Sequence, residues 1–299
     1  MLEEQLRRIN FFVHIFTLPF IIMFGIIGNI LNIYILTRPA VRRTCSIYFL
    51  AGAINGLILL SFGSTSRWIS NTFEEHDATR YSLFFCRFRN YIMNIIYNLA
   101  PYFIACVTID RFCSSSINPS TRRWSANPKI AYKVLFIIIL STSISFSQVF
   151  FFYEIVDESC RLRSGFSTKF FPLFTTMYYL SAVFLIVAFG FGTIKNIRAQ
   201  SKRIRTITNC VNRYDRRRAK NDAQVLMMLL IQVICYALFA LPYHLTVIVA
   251  AIQPLYITNR TFTFLQQMGI IALNLNHAVS ISQISKSLMR ESFLIGIKK

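Results

Sequence analysis

The stretch between Cys86 and Phe112 decides how the rest of the chain is read, and its sequence is CRFRNYIMNIIYNLAPYFIACVTIDRF. Arg111 follows Cys86 by 25 residues, and most of the residues between them are apolar. An α-helix rises about 1.5 Å per residue, so this interval would span roughly 37 Å. That length is close to a bilayer with its interfaces, about 40 Å. One membrane helix would therefore place Cys86 at one surface and Asp110-Arg111 at the other.

The composition of the whole chain is that of a membrane protein. Hydrophobic residues make up 55% of the 299 residues and charged residues 15%, whereas a soluble domain carries about 25% charge. Seven stretches have the length and apolarity that a bilayer core requires, roughly 20 residues. We predict an all-α membrane protein, a single seven-transmembrane helix bundle over 1–299 with a short amphipathic eighth helix. The predicted helices cover about 11–36, 47–66, 84–112, 131–153, 170–195, 223–252 and 262–284, and the amphipathic tail covers 286–297.

Positive charge is concentrated on one side of this predicted topology. The net charge is +20, and with an extracellular amino terminus the cytoplasmic segments hold 22 of the 32 Lys and Arg residues but 4 of the 12 acidic residues. Cytoplasmic loops of membrane proteins carry this excess of basic residues. Membrane topology and contact with anionic lipids therefore account for the charge, and no nucleic-acid partner is needed.

No arrangement of residues indicates an enzyme or a cofactor. The sequence shows no nucleophile–base set, no metal-ligand cluster and no phosphate-binding loop, and the cysteines form no Cys-x-x-Cys motif. His14, His76, His244 and His277 are scattered along the chain. We therefore predict neither catalysis nor a bound metal or cofactor.

Several motifs give the chain a family resemblance. Asp110-Arg111-Phe112 stands at the end of helix 3 with Cys86 at its start, Gly28-Asn29 lies in helix 1, and Pro242 lies in helix 6. In this pattern the chain resembles the rhodopsin-like G-protein-coupled receptors, as a divergent member similar to the neuropeptide receptors. The resemblance implies a multi-pass receptor of the plasma membrane that passes the signal of an extracellular ligand to a heterotrimeric G protein.

The chain also departs from the family pattern. Asn55 stands in helix 2 where the family usually has an aspartate, and Ala240 stands two residues before Pro242 where a tryptophan is usual. Helix 7 lacks the Asn-Pro pair and the following tyrosine, since the chain reads Asn276-His277 there. Two alternatives therefore stay open: a polytopic transporter or channel, and a seven-helix receptor that does not signal through G proteins.

The resemblance assigns roles to particular residues. Asp110, Arg111 and Phe112 would couple to the G protein, and Pro242 would kink helix 6 so that its cytoplasmic end can move. Asp222 precedes Pro242 by 20 residues, the distance at which family members place an acid that pairs with the helix 3 arginine. Alternatively, Asp222 favours the start of helix 6 through the helix dipole.

Two cysteines and two asparagines complete the implied framework. Cys86 and Cys160 are the cysteines on the predicted extracellular side, where an oxidising environment permits a bridge; the alternative is two unrelated free thiols. Asn29 and Asn55 would form a polar core and could bond to each other, or they could serve helix packing alone.

The ligand site is the least determined part of the sequence. Met93 stands where amine receptors place an aspartate, so we do not expect a biogenic amine. Arginines near the outer ends of the helices suit an acidic ligand or a short peptide, unless they only balance nearby acidic residues. The candidate ligand-binding residues are Arg89, Met93, Asn94, Tyr97 and Tyr243. Asn259-Arg260-Thr261 is an acceptor sequence for N-glycosylation in the third outer loop.

Overall fold

The computed structural model describes residues 2–39, 44–73, 77–206, 234, 238–252 and 260–279. Seven long or medium helices follow one another within these residues. We number them helix 1 to helix 7 in chain order. Asp222, Asn259 and the predicted amphipathic tail 286–297 lie outside the described residues.

Helices 1 and 2 each contain a π-helical turn. Helix 1 consists of Leu2–Phe12, a π-helical turn over Val13–Thr17, and Leu18–Leu36. Helix 2 consists of Thr44–Ile58, a π-helical turn over Leu59–Ser64, and Thr65–Thr72. The backbone thus stays helical through both turns.

The remaining helices are delimited as follows. Helix 3 is Leu83–Ser114, helix 4 is Pro128–Phe146 followed by the short helix Val149–Phe152, helix 5 is Phe166–Thr206, helix 6 is Leu238–Ile252 and helix 7 is Arg260–Val279. Short helices at Ala78–Tyr81 and Pro119–Ala126 precede and follow helix 3.

Helices 1 to 5 are long and apolar enough to cross a membrane, and helix 6 is a shorter apolar helix among the described residues. Helix 3 is the central element: 72% of its apolar segment is buried, against 22% for helix 4. It packs against helices 2, 4 and 5. Phenylalanines exposed on the outer helices, such as Phe24, Phe136 and Phe184, are what lipid contact requires.

Asparagine–proline pairs begin two of the helices. The side chain of Asn118 accepts a hydrogen bond from the Ser120 amide before the short helix Pro119–Ala126, and Asn127 accepts one from the Lys129 amide before helix 4. Asparagine is a favoured cap, and proline fits the first helical position because its missing N–H would have no partner there.

A β-hairpin between helices 4 and 5 was not predicted. Strand β1 (Tyr153–Val156) pairs antiparallel with β2 (Ser159–Leu162), and Asp157 and Glu158 form the two-residue turn with φ of 50° and 54°. Positive φ at both turn residues matches the twist of paired strands. Aspartate adopts this conformation more readily than most residues do.

Two helices are longer than predicted. Helix 1 was expected to begin at residue 11, yet the chain is helical from Leu2. Helix 5 was expected to end at residue 195, yet it continues to Thr206. Hydropathy locates only the part of a helix that lies in lipid. The polar residues that continue helix 5 include Lys, Arg and Gln, which are good helix formers in water.

Candidate functional site

A disulfide joins helix 3 to the hairpin. Cys86 and Cys160 are bonded, with their Cα atoms 5.6 Å apart, which is the pairing that the resemblance implied. The Arg87 Nε donates a hydrogen bond to the Tyr153 carbonyl at 3.0 Å, which fixes β1 over the same helix end. We call this end of the bundle the disulfide end and the opposite end the Arg111 end.

Three arginines around the disulfide end are paired with acidic residues. Arg89, a predicted ligand residue, lies 3.4 Å from Asp77, and its guanidinium also donates to the Ser70 hydroxyl at 2.7 Å. Two further pairs lie on the hairpin and next to it: Arg161 with Asp157 at 2.8 Å, and Arg163 with Glu154 at 3.7 Å. The structure thus favours the alternative in which these three arginines balance local acidic residues.

Asp77 is held in its charged form. Burial acts to raise the pKa of its carboxyl group, but hydrogen bonds from the Thr79 hydroxyl and amide, together with the Arg89 guanidinium, outweigh burial and lower that pKa below its ordinary value. The Thr79 hydroxyl lies 2.7 Å from the Asp77 Oδ1. Asp77 is therefore a permanent counter-ion for Arg89 at neutral pH.

A polar cavity of about 1140 Å³ opens at the disulfide end. Helices 1, 2, 3 and 7 and strand β2 all contribute to its walls. Residues that line it include Arg8, Ser70, Asn71, Arg89, Ser159 and Gln267. A cavity of this size is large enough to admit a ligand of several residues.

Arg67 lies on the same side of helix 2 as Ser70 and Asn71, because it precedes them by one helical turn. It is therefore one turn closer to the Arg111 end than these two residues are. Its guanidinium is close enough to Tyr97, Tyr153 and Tyr243 to interact electrostatically with each of them. Arg67 was not among the predicted ligand residues. A signal was present, because Arg67 is the one charged residue between Thr44 and Phe73, and a charge within a membrane helix indicates function.

The predicted ligand residues of helix 3 lie deeper and in different environments. The Tyr97 hydroxyl donates to the Asn274 Oδ1 at 3.1 Å, an atom that also accepts from Ser64 at 3.0 Å. Met93 is buried against Gly63 of helix 2, where an added Cβ would lie 2.2 Å from the Met93 sulfur. Asn94 donates to the Asn90 carbonyl at 2.8 Å within its own helix.

Tyr153 and Tyr243 complete this group of side chains. Burial raises the pKa of Tyr153, while the nearby Arg67 and Asn94 side chains act to lower it. The net shift is upward, so the Tyr153 phenol stays neutral and keeps its proton at physiological pH. Tyr243 on helix 6 is half-buried, and its backbone packs against Gly269 of helix 7.

The two predicted core asparagines are both buried, and the structure gives their amide groups different partners. Asn29 donates to the Gly25 carbonyl at 2.7 Å within helix 1. Asn55 donates to the Ile96 carbonyl at 2.9 Å and so connects helix 2 to helix 3. The Asn29 Oδ1 lies against Gly56, where an added Cβ would be 2.8 Å away. The contact between helices 1 and 2 is therefore close packing around Asn29.

At the Arg111 end, Asp110 and Arg111 point to different neighbours. The buried Asp110 carboxylate accepts a hydrogen bond from the Ser125 hydroxyl at 2.7 Å. Ser125 belongs to the short helix Pro119–Ala126, so this bond ties that helix to helix 3. The Arg111 guanidinium contacts the Cys45 sulfur at the start of helix 2. Neighbouring residues on a helix point about 100° apart, which separates the two side chains.

Phe112 packs toward helix 5. Its ring lies 5.3 Å from the Phe189 ring, edge to face, and an added Cβ at Gly192 would lie 2.7 Å from the Phe112 ring. Pro242 is in helix 6, and the neighbouring Ala240 is fully buried in a cluster with residues of helices 3, 5 and 7. A tryptophan side chain at position 240 would need space that this cluster fills.

Comparison with known families gives the class of the protein. A family model described as 7 transmembrane receptor (rhodopsin family) matches residues 28–281. The chain therefore belongs to the rhodopsin family of seven-transmembrane receptors, and the predicted seven-helix fold is confirmed. It is a multi-pass membrane protein, and the members of its family are receptors rather than enzymes. A search of curated proteins gave no match.

Proposed function

We propose that this protein is a plasma-membrane receptor that couples an extracellular ligand to a heterotrimeric G protein. In this proposal residues 1–299 form one receptor domain, the disulfide end faces the outside, and the amino terminus is extracellular. The excess of basic residues in the segments at the Arg111 end supports this orientation, because such segments stay in the cytoplasm.

The observation that carries the proposal is the separation of Asp110 from Arg111. Ser125 donates to the Asp110 carboxylate, so the acid is engaged by the short helix that follows helix 3. The Arg111 guanidinium instead lies toward Cys45 on helix 2. A half-buried guanidinium at the inner boundary of the bundle is suited to meet a partner that enters between the helices.

Movement of helix 6 would admit that partner. Pro242 has no N–H to donate within helix 6, and this weakens the helix at that point. Asp222 lies outside the described residues, and its pairing with Arg111 in the closed state remains part of the proposal. Phe112 would be the contact that links helix 3 to helix 5 during the change, since its ring meets Phe189.

A ligand would bind at the disulfide end. The cavity of about 1140 Å³ lies there, and so does the group around Arg67, although the residues that line the cavity do not include that group. Of the predicted ligand residues, Tyr97 and Tyr243 belong to this group, whereas Arg89 forms an ion pair with Asp77. Met93 would act mainly by packing against helix 2, and Asn94 lies near Tyr153.

A functional screen tests the proposal. The receptor would be reconstituted in lipid nanodiscs with each of the main classes of Gα subunit, and nucleotide exchange measured against a panel of peptides and small carboxylates. We expect at least one Gα class to exchange faster than with empty nanodiscs. Exchange equal to that of empty nanodiscs for every Gα class and every compound, together with ligand-driven ion flux in liposomes, would instead favour a transporter or channel.

A further inference from the structure

Two polar groups at the disulfide end stand without partners. Arg67 is half-buried, and within the described residues no carboxylate pairs with its guanidinium and no atom accepts a hydrogen bond from it. The hydroxyl of Tyr243, also half-buried, likewise has no hydrogen-bond partner in the described part of the chain. The two groups are close enough to interact electrostatically. Because both groups are half-buried, solvent can reach them, and an anion that replaced this solvent would accept hydrogen bonds from a charged donor and from a phenol.

The described side chains around Arg67 carry no negative charge. Tyr97 comes from helix 3 and Tyr153 from β1, and both interact electrostatically with Arg67. Asp77, an acid at this end, is already paired with Arg89. Arg89 itself is close enough to Arg67 to repel it. The surroundings thus leave the positive charge of Arg67 uncompensated within the described residues.

The four side chains come from four different elements. Arg67 lies on helix 2, Tyr97 on helix 3, Tyr153 on β1 and Tyr243 on helix 6. Tyr153 is held by the Arg87 hydrogen bond to its carbonyl, and Tyr97 by its bond to Asn274. A ligand bound between them would therefore connect helix 6, which carries Pro242, to the fixed part of the bundle.

We infer that Arg67 and Tyr243 form a subsite for a carboxylate group of the ligand. The inference rests on the proposed receptor function and names the ligand class. A planar guanidinium matches the two oxygens of a carboxylate, and phenols donate to the same oxygens. One positive charge among aromatic side chains suits a singly charged carboxylate better than a doubly charged phosphate. The ligand would thus be an aromatic or aliphatic acid or a peptide with a free terminal carboxylate.

The test uses probes of matched shape on the full-length receptor in detergent, without G protein. The probes are 3-phenylpropionate, its primary amide and 2-phenylethyl phosphate, and binding is measured by saturation-transfer NMR and by thermal shift. We expect the carboxylate to bind about tenfold tighter than the amide, the difference that a charge-assisted hydrogen bond provides. It should also bind tighter than the phosphate.

Substitutions then assign the preference to the subsite. Arg67→Gln should reduce carboxylate binding to the level of the amide, Arg67→Lys should retain part of the preference, and Tyr243→Phe should weaken carboxylate binding several-fold. Arg161→Gln is the matched control, because it removes an exposed arginine that is paired with Asp157. The amide, which does not need Arg67, checks that each variant retains its pocket.

Three results would overturn the inference. They are equal binding of carboxylate and amide to the wild type, a carboxylate preference that survives Arg67→Gln, and no carboxylate binding at millimolar concentration. A preference for the phosphate would replace the carboxylate as the ligand group. Because no G protein is present, failure here leaves the proposed coupling untouched. Failure of nucleotide exchange would equally leave the binding result intact.

Discussion

Arg67, Arg89 and Arg111 carry the same charge in three different surroundings. Arg89 is neutralised by Asp77 at 3.4 Å, Arg111 lies against the Cys45 sulfur, and Arg67 faces tyrosines. An arginine cannot lose its proton in a protein, so each must be matched by other groups. The part each plays therefore follows from its neighbours: we propose a structural role for Arg89, ligand binding for Arg67 and coupling for Arg111.

At the same scale, the hydroxyl of Ser125 should matter for stability. Ser125→Ala removes the donor to the buried Asp110 carboxylate, and the loss of such a partner costs about 1–3 kcal/mol. The thermal unfolding midpoint of the purified receptor should fall. Ser120→Ala is the control, since Ser120 is exposed on the same short helix. Equal midpoints for the two variants would show that the Asp110–Ser125 bond contributes nothing.

Asp77 should make stability depend on pH. Its pKa is lowered in the folded protein, below the ordinary value of about 3.9. A lowered carboxyl pKa stabilises the fold above the unfolded pKa, and this stability is lost as pH falls through the folded pKa. Asp77→Asn should therefore lower the unfolding midpoint at pH 7, and its difference from wild type should shrink as the pH falls below the unfolded pKa of about 3.9.

Asp157→Asn provides the comparison for that experiment. Asp157 also pairs with an arginine, but its side chain is 87% exposed, and exposed ion pairs contribute little. The midpoint of Asp157→Asn should stay near the wild-type value at both pH values. A gap between Asp77→Asn and wild type that stays constant from pH 7 to the lowest pH at which the receptor remains folded would contradict this role of Asp77.

At the scale of elements, helices 6 and 7 meet at a glycine. A Cβ added at Gly269 would lie 2.9 Å from the Tyr243 Cα and 3.0 Å from its amide nitrogen. Backbone atoms cannot yield as a flexible side chain can, so Gly269→Ala should separate the two helices and cost about 1–3 kcal/mol. Gly52, also within a helix, has nothing within 4 Å of an added Cβ.

The two glycines form a matched pair for measurement. Gly52→Ala should leave the unfolding midpoint unchanged or raise it, since alanine favours a helix by about 0.5–1 kcal/mol over glycine. Gly269→Ala should lower it and should also weaken binding at Tyr243. If the two variants had the same unfolding midpoint, the close contact between helices 6 and 7 would not explain why a glycine stands at position 269.

The sequence located the helices better than it located their partners. Apolar length alone was enough to find the membrane helices, because a bilayer imposes one thickness on all of them. The hairpin was missed because each strand has four residues and its turn is Asp157-Glu158, without the glycine that usually marks a two-residue turn. Arg89 was a candidate ligand residue because an arginine near the outer end of helix 3 suits an acidic ligand, and the sequence could not decide between a ligand and a nearby acid such as Asp77 as its partner.

At the scale of the whole molecule, one end holds the candidate ligand subsite and the other holds Arg111. Helix 3 connects the two ends: it carries Tyr97 near the candidate ligand subsite and Arg111 at the opposite end. Helix 6 carries Tyr243 next to Pro242. A ligand that binds Arg67 and Tyr243 would favour one position of helix 6, and a ligand can shift such an equilibrium only by its difference in affinity for the two states.

The same reasoning gives a direction for Asp222. If Asp222 pairs with Arg111 in the closed state, Asp222→Ala removes a restraint and should raise basal nucleotide exchange on the G protein. The states of such equilibria differ by a few kcal/mol, and the loss of one ion pair that contributes about 1 kcal/mol should raise basal exchange several-fold. Basal exchange that is unchanged at matched receptor amounts would leave Asp222 with the role of starting helix 6.

The central claim, that the Arg111 end activates a G protein, is tested most directly by nucleotide exchange with Arg111→Ala. Receptors in nanodiscs would be compared at matched amounts with wild type and with Arg122→Ala, which removes an exposed arginine from the neighbouring short helix. The account predicts that Arg111→Ala loses exchange while 3-phenylpropionate still binds, and that Arg122→Ala keeps most of it. Wild-type exchange in Arg111→Ala would contradict the account.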